Sequence, residues 1–400
     1  MNPIIELEAQ YCAPNYHPLP VVLVKGEGVY VWDDSGKRYL DMMSAYSAVS
    51  HGHSHPRLVK ALTEQAGKLA IVSRAFHSDR LAPLLEKLCQ MTGQEMALPM
   101  NTGAEAVETA LKAARKWAYT VKGVADDQAE IIVCDGNFHG RTISIVGFST
   151  EPQYQAGFGP FAPGFISIPF GDTDALEAAI TPNTAAFLLE PIQGEGGIIV
   201  PPPGYLKRVA KICSDNNVLL ICDEIQTGLG RCGALMACDH DAVKPDGLIL
   251  GKALGGGMLP VSMFLASREV MEVFQPGDHG STFGGNPLSS AVALEGLRVL
   301  EEEGLVEAAA EMGDYFIAAL VQLGSPLIKE VRGRGLLIGV EFYSDQVSAR
   351  EVCERLMVRG ILSKETHETV VRFAPPLIIN REQIDEVIKQ LAEVLDDLEA

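Results

Sequence analysis

None of the eight cysteines forms a Cys-x-x-Cys pair; they are scattered at positions 12, 89, 134, 213, 222, 232, 238 and 353. That spacing argues against a disulfide framework and against a zinc site. Cys134 and Cys222 lie inside apolar runs, where a reduced thiol packs as a small hydrophobe. Positive charge is also scarce, with 32 Lys and Arg against 52 Asp and Glu, for a formal net charge of −20. No basic run offsets this balance, so neither nucleic acid nor an anionic membrane surface is expected as a partner. No apolar stretch approaches the ~18 residues needed to span a bilayer. Internal repeats and low-complexity linkers are missing as well. The first residues, Met1-Asn2-Pro3-Ile4-Ile5-Glu6, have neither a basic apolar signal nor an Arg-rich transit pattern, and a cytoplasmic protein is the expectation.

What is present is a large supply of core. With 400 residues, 47% of them hydrophobic, the chain can bury enough surface for two or three domains. Val29–Trp32 and Tyr39–Leu40 flank Asp33-Asp34-Ser35-Gly36, a hairpin signature. From about residue 56 to 290, helical and strand patterns alternate. A long helix is predicted over Thr102–Lys122, with strands at Ile131–Cys134, Ala186–Leu189, Val218–Cys222 and Leu248–Leu250. This alternation predicts an α/β fold: a mainly parallel sheet flanked by helices, with its site at the strand carboxyl ends. After Asn286-Pro287 the pattern changes to helices at Leu288–Glu302 and Leu305–Leu323, strands at Gly335–Phe342 and Val370–Phe373, and a closing helix at Ile384–Leu398. The division expected is an amino-terminal segment (1–50) packing with the small domain, a large domain (51–287) and a smaller α+β domain (288–400).

Two apolar runs end on reactive groups. Val218–Cys222 leads into Asp223, and Leu248-Ile249-Leu250-Gly251 leads into Lys252. A lysine there is costly to bury without a reason, and burial favours its neutral, nucleophilic form. An amine and an acid so placed suit a carbonyl cofactor: the lysine captures the aldehyde and the acid holds a protonated ring nitrogen, as pyridoxal phosphate requires. Asn101-Thr102-Gly103-Ala104-Glu105 opens a helix with small residues, and its free N–H groups and dipole can receive a phosphate. The Gly-rich Gly280-Ser281-Thr282-Phe283-Gly284-Gly285 loop could offer hydroxyls to the same group. Arg141 and Arg372, each beside aromatic and small residues, are candidate carboxylate clamps.

Three motifs mislead. Gly228-Leu229-Gly230-Arg231-Cys232-Gly233 satisfies the dinucleotide pattern, but it does not directly follow its strand and no acid ends a following strand at the required distance. Gly247–Lys252 is one residue short of a P-loop, and Ala253 replaces the required Ser or Thr. His51, His53 and His55 alternate as metal ligands might on a strand, but Gly52 and Pro56 make a turn of that segment; no metal is expected.

Taken together the segments resemble the class III pyridoxal-phosphate-dependent aminotransferases of fold type I, and within them the ornithine-using branch. The resemblance runs through Asn15-Tyr16-His17-Pro18-Leu19-Pro20, Tyr46-Ser47-Ala48-Val49, Ser73-Arg74-Ala75-Phe76, Pro99–Gly103, Glu190-Pro191-Ile192-Gln193-Gly194-Glu195, Asp223–Gly228, Gly251–Leu254, His279–Thr282 and Arg372–Pro376. It implies a seven-stranded-type sheet in the large domain. It also implies roles: Lys252 binds the cofactor covalently and carries protons, Asp223 pairs with the ring nitrogen, and Gln226 approaches the ring hydroxyl. Phe138 stacks on the ring, and Thr102, Gly103, Ala104 and Ser281 surround the phosphate. Thr282 would reach the phosphate from the other subunit of a homodimer with shared active sites. The implied substrates are L-ornithine and 2-oxoglutarate, with Tyr16, Tyr46 and Arg141 receiving the distal carboxylate end. Arg372 would take the 2-oxoglutarate α-carboxylate, and Glu195 would neutralise Arg372 when none is present. His139 and Gly255-Gly256-Gly257 depart from the ornithine pattern towards acetylornithine aminotransferases. N-acetylornithine, or another ω-amino acid such as 4-aminobutyrate, is therefore the alternative donor. A non-catalytic cofactor-binding sensor and a metal-dependent hydrolase are the readings from other classes.

Overall fold

Three sheets organise the chain, and a computed structural model describes residues 2–399 of it. The amino-terminal strands β1 (Leu23–Glu27), β2 (Tyr30–Asp33) and β3 (Arg38–Asp41) form an antiparallel meander. The predicted hairpin lies here, with Tyr30 opposite Leu40 and Asp33 Oδ1 accepting the backbone N–H groups of Ser35 and Lys37.

The central sheet has seven strands: β4 (Met96–Met100), β5 (Glu130–Cys134), β6 (Phe165–Ile168), β7 (Thr184–Leu189), β8 (Leu219–Asp223), β9 (Gly247–Leu250) and β10 (Ser262–Ala266). Their spatial order is β4-β10-β9-β8-β7-β5-β6, and only β10 runs against the rest. Every residue of β7, β8 and β9 is buried, which is why these strands read as unbroken apolar runs. The period of two still sorts the side chains. Ile132, Phe187, Leu189, Leu220 and Leu248 enter one core cluster, and Ile131, Val133, Leu188, Ile221 and Ile249 the other. The helix Gly103–Trp117 covers this second face with Ala106, Val107, Ala110, Ala113, Ala114 and Trp117.

Two expectations need amending. The α-helix stops at Trp117, and Ala118–Lys122 is a π turn closed by left-handed Gly123. Strands β4, β6 and β10 were not among the predicted ones. Two of them are edge strands, only partly buried, and β4 contains Pro99, so neither carries the apolar signal of the centre.

The carboxyl-terminal sheet comprises β11 (Ile328–Arg334), β12 (Leu337–Phe342), β14 (Lys364–Thr366) and β15 (Val370–Phe373), antiparallel in the order β11-β12-β15-β14. Strand β13 (Ile361–Leu362) leaves that region to pair with β3 in parallel. The amino-terminal meander is thus stitched to the last third of the chain. Helices Pro287–Glu302, Leu305–Gln322, Ala349–Val358 and Arg381–Glu399 complete this part.

Candidate active site

At the carboxyl ends of β7, β8 and β9 lies a cavity of about 190 Å³, lined by Gly103, Ala104, Phe138, His139, Gly140, Glu190, Glu195, Asp223, Ile225, Gln226, Thr227 and Lys252. Asp223 is the last residue of β8 and is 4% exposed. Its Oδ1 accepts the N–H of Ile225 at 3.0 Å, and its Oδ2 lies 2.7 Å from His139 Nδ1. Burial alone would lower the His139 pKa, but the hydrogen bond and charge of Asp223, with the charge of Glu190, outweigh it and raise it. The imidazole therefore donates its Nδ1–H to Asp223. Glu190 comes directly after β7, and it accepts the N–H groups of Phe138 (3.0 Å) and Gly194 (3.2 Å). Burial, reinforced by the charge of Asp223 and opposed by that of His139, pushes its carboxyl up to about 7.

Lys252 opens a 3₁₀ turn two residues beyond β9, with φ +44°. A lysine in the left-handed region is held there against its own preference, by roughly 1–2 kcal/mol. Burial lowers its pKa, against the opposing charges of Glu195, Asp223 and Glu190, so the fold favours the neutral amine.

On the far side of the cavity Arg372, in the middle of β15 and 1% exposed, donates from Nη1 to Glu195 Oε1 at 2.5 Å. The same oxygen accepts Gln226 Nε2 at 3.2 Å. Burial would raise the Glu195 carboxyl, but Arg372, Lys252 and these hydrogen bonds hold it below its ordinary value. Thr366 fixes the backbone of Glu195 by donating to its carbonyl at 2.6 Å. The Arg372 guanidinium lies 5.0 Å from the centre of the Tyr46 ring. Tyr46 itself belongs to a run, Ser44–Ser47, in which four successive residues have positive φ, a left-handed turn without a glycine.

The helix start behaves as its sequence requires. Thr102 caps the helix Gly103–Trp117 in a box with Glu105, each side chain taking the other's backbone N–H. Thr102 is thereby committed to the cap and lies outside the cavity lining, while Gly103 and Ala104 bring their N–H groups to it. A Cβ on Gly103 would sit 2.9 Å from Ile225 Cδ1, so a larger residue here would have to push the Ile225 side chain aside. Ser281 accepts from Asn101 Nδ2 at 2.8 Å and from Gly284 N at 3.0 Å, beside the helix start but outside the cavity. Thr282 is exposed.

Phe138 lines the cavity, and its ring meets Tyr154 edge-on at 6.1 Å. The Arg141 guanidinium stacks 3.6 Å over the Tyr154 ring and is exposed. Tyr16 is 74% exposed and lies near Tyr46, whose phenol is raised by burial and by the charge of Glu195, against Arg372. Sequence reasoning thus missed Tyr154, Thr366 and Glu190, and read His139 only as a substrate marker. Glu190 was findable, because it ends an apolar run just as Asp223 does. The three histidines of the turn go to separate partners: His51 Nε2 to Gly296 O at 3.0 Å, His53 to Asp41 at 2.7 Å, His55 to Glu303 at 3.3 Å.

These features are those of a pyridoxal-phosphate enzyme of fold type I, and the comparisons agree. The family profile "Aminotransferase class-III" matches residues 11–395. The chain belongs to the class-III aminotransferases and is an enzyme of that class, which uses pyridoxal phosphate. An ornithine aminotransferase from Geobacillus sp. (strain WCH70) is 59% identical over 391 residues, 98% of each chain. A solved ornithine aminotransferase from Toxoplasma gondii, with partial occupancy of PLP at its active site, superposes with a TM-score of 0.97 at 48% identity, covering 99% of this chain and 94% of that one. The acetylornithine aminotransferase of Elizabethkingia anophelis is also 48% identical, with a TM-score of 0.90 and 98% of each chain covered. The side chains present fit the cofactor. His139 Nε2 and Gln226 Oε1, both buried at the cavity, have no hydrogen-bond partner among the described residues, and the Gly103–Ala104 helix start lines the same space.

Proposed function

We propose that the enzyme transfers the δ-amino group of L-ornithine to 2-oxoglutarate, in ping-pong fashion, giving glutamate and glutamate 5-semialdehyde, which cyclises to pyrroline-5-carboxylate. The observation that carries this reading is the Glu195–Arg372 pair. An ω-amino donor brings no carboxylate to the reacting end, and a buried guanidinium left alone there would be costly. Glu195 supplies the missing negative charge from within the chain. When 2-oxoglutarate binds, its α-carboxylate takes the guanidinium and Glu195 moves aside. The names of the relatives at 59% and 48% identity support ornithine as the donor.

When bound, pyridoxal phosphate supplies an aldehyde and an electron-withdrawing ring. Lys252 Nζ, its pKa lowered by burial, holds the cofactor and then carries the proton at the substrate's reacting carbon. Asp223, oriented by His139, holds the proton on the ring nitrogen. Gln226 meets the ring hydroxyl, Phe138 the ring face, and the N–H groups of Gly103 and Ala104 the phosphate. Ser281 and Thr282, outside the cavity of their own chain, serve the phosphate in a homodimer with shared sites. Tyr16, Tyr46 and Arg141 receive the donor's far end. On this reading residues 51–287 form the cofactor domain and 288–400 the smaller one, joined by 1–50.

N-acetylornithine is the second reading, favoured by His139 and by the Elizabethkingia relative. Turnover of L-ornithine against N-acetylornithine at equal concentration separates the two. Faster transfer from ornithine is expected, and faster transfer from the acetylated donor would overturn the assignment.

A further inference from the structure

Arg231 and Arg372 are the largest fully buried charged side chains among the described residues, and the reaction leaves Arg231 unused. It is 0% exposed, and among the described residues no acid forms an ion pair with it. Its guanidinium instead bridges three remote segments. Nη1 donates to Leu336 O (2.9 Å) and Pro375 O (2.5 Å), and Nη2 donates to Ser44 Oγ (3.2 Å) and Ser50 Oγ (3.1 Å). The two serines pass the constraint on, Ser44 donating to Ala374 O at 2.6 Å and Ser50 to Ser47 O at 3.1 Å. Backbone bonds from Ala374 N to Met42 O and from Leu377 N to Ser50 O close the same seam.

What lies between these anchors decides their purpose. Ser44 and Ser50 bracket the left-handed turn that carries Tyr46, and Pro375 follows Arg372 by three residues. The glycines around Arg231, whose spacing only mimics a dinucleotide motif, make the approach possible. A Cβ on Gly335 would come within 2.4 Å of Cys232 and Gly233, and Gly230 and Gly233 have φ of +89° and +76°. A planar fork with five donors can hold four acceptors at once, which a lysine ammonium cannot.

We propose that Arg231 is a positioning residue that locks the Tyr46 turn onto the Arg372 strand and so sets the shape of the carboxylate subsite. It does this through Ser44 and Ser50, without touching substrate. The inference rests on the reading of Arg372 as the subsite for the 2-oxoglutarate α-carboxylate.

The test uses holoenzyme variants Arg231→Lys and Ser44→Ala/Ser50→Ala, with steady-state constants for 2-oxoglutarate. Each should raise KM roughly 10- to 100-fold, the scale of a misplaced binding group, while kcat stays within about twofold, because Asp223 and Lys252 are held at the ends of central-sheet strands, outside this network. Combining them should add little to Arg231→Lys, since both break one network. A lower melting temperature with KM unchanged would reduce Arg231 to a structural prop and overturn the proposal. If Arg231→Lys does not fold, the serine variant decides alone by the same criterion. Arg372→Lys separates the two claims. A KM unchanged there removes the subsite reading and the proposal with it. A KM raised there but not in the other variants overturns the proposal alone.

Discussion

Replacing Arg372 with Ala should separate the two halves of the reaction. The side chain is buried against Glu195 at 2.5 Å and against the Tyr46 ring, so a carboxylate that reaches it binds in a water-poor place. Removing one member of such a hydrogen-bonded charge pair costs about 2–5 kcal/mol. At about 1.4 kcal/mol per tenfold, kcat/KM for 2-oxoglutarate should fall roughly 30- to 5,000-fold. The donor half-reaction has no carboxylate at this position and loses only an indirect effect. Burial would still lower the Lys252 pKa, but without the charge of Arg372, which also lowers it, the pKa rises. The donor half-reaction should therefore shift its optimum to higher pH and slow by less than about tenfold at its new optimum. Rapid mixing of holoenzyme with each substrate alone, followed through cofactor absorbance in a single turnover, measures both halves separately. Equal losses in the two would refute the argument that Glu195 substitutes for a substrate carboxylate.

Two further substitutions probe the machinery apart from the substrate. Lys252 sits at φ +44°, so Lys252→Gly should be about 1 kcal/mol more stable than Lys252→Ala, the reverse of the usual order, with both inactive. Thermal unfolding of the cofactor-free variants reads this directly, and an alanine variant of equal stability would show that the turn is unstrained. Glu190 has a folded pKa of about 7 against an ordinary 4.5. A raised folded value means its contribution to stability is complete below pH 4.5 and is lost as pH rises through 7, about 3 kcal/mol in all. The stability of the wild type relative to Glu190→Gln should fall by that amount between pH 4.5 and 8 in denaturant titrations. A difference that does not change with pH would mean Glu190 is ionised throughout.

The residues that sequence reasoning located share one property: each ends or interrupts a local pattern. Asp223 and Lys252 break apolar runs, and Gly103 opens a helix behind a capping threonine. Such signals come from neighbours in the chain, and they place the centre of the sheet and the cofactor side of the cavity. Strands β4 and β6 escaped because an edge strand is half exposed and lacks the continuous apolar run of a buried one. His139 and Asp223, by contrast, are 84 positions apart, and Arg231 lies 187 positions from Ser44. No periodicity links them; only the closed fold brings them together. The same limit applies to the Tyr46 turn. Ser44-Ala45-Tyr46-Ser47 contains no glycine and gives no local hint of a left-handed path, because its conformation is imposed from outside by Asp41, Arg231 and the backbone of Ala374. Reaction type is therefore written in short-range patterns, while the geometry that selects a substrate depends on long-range polar contacts.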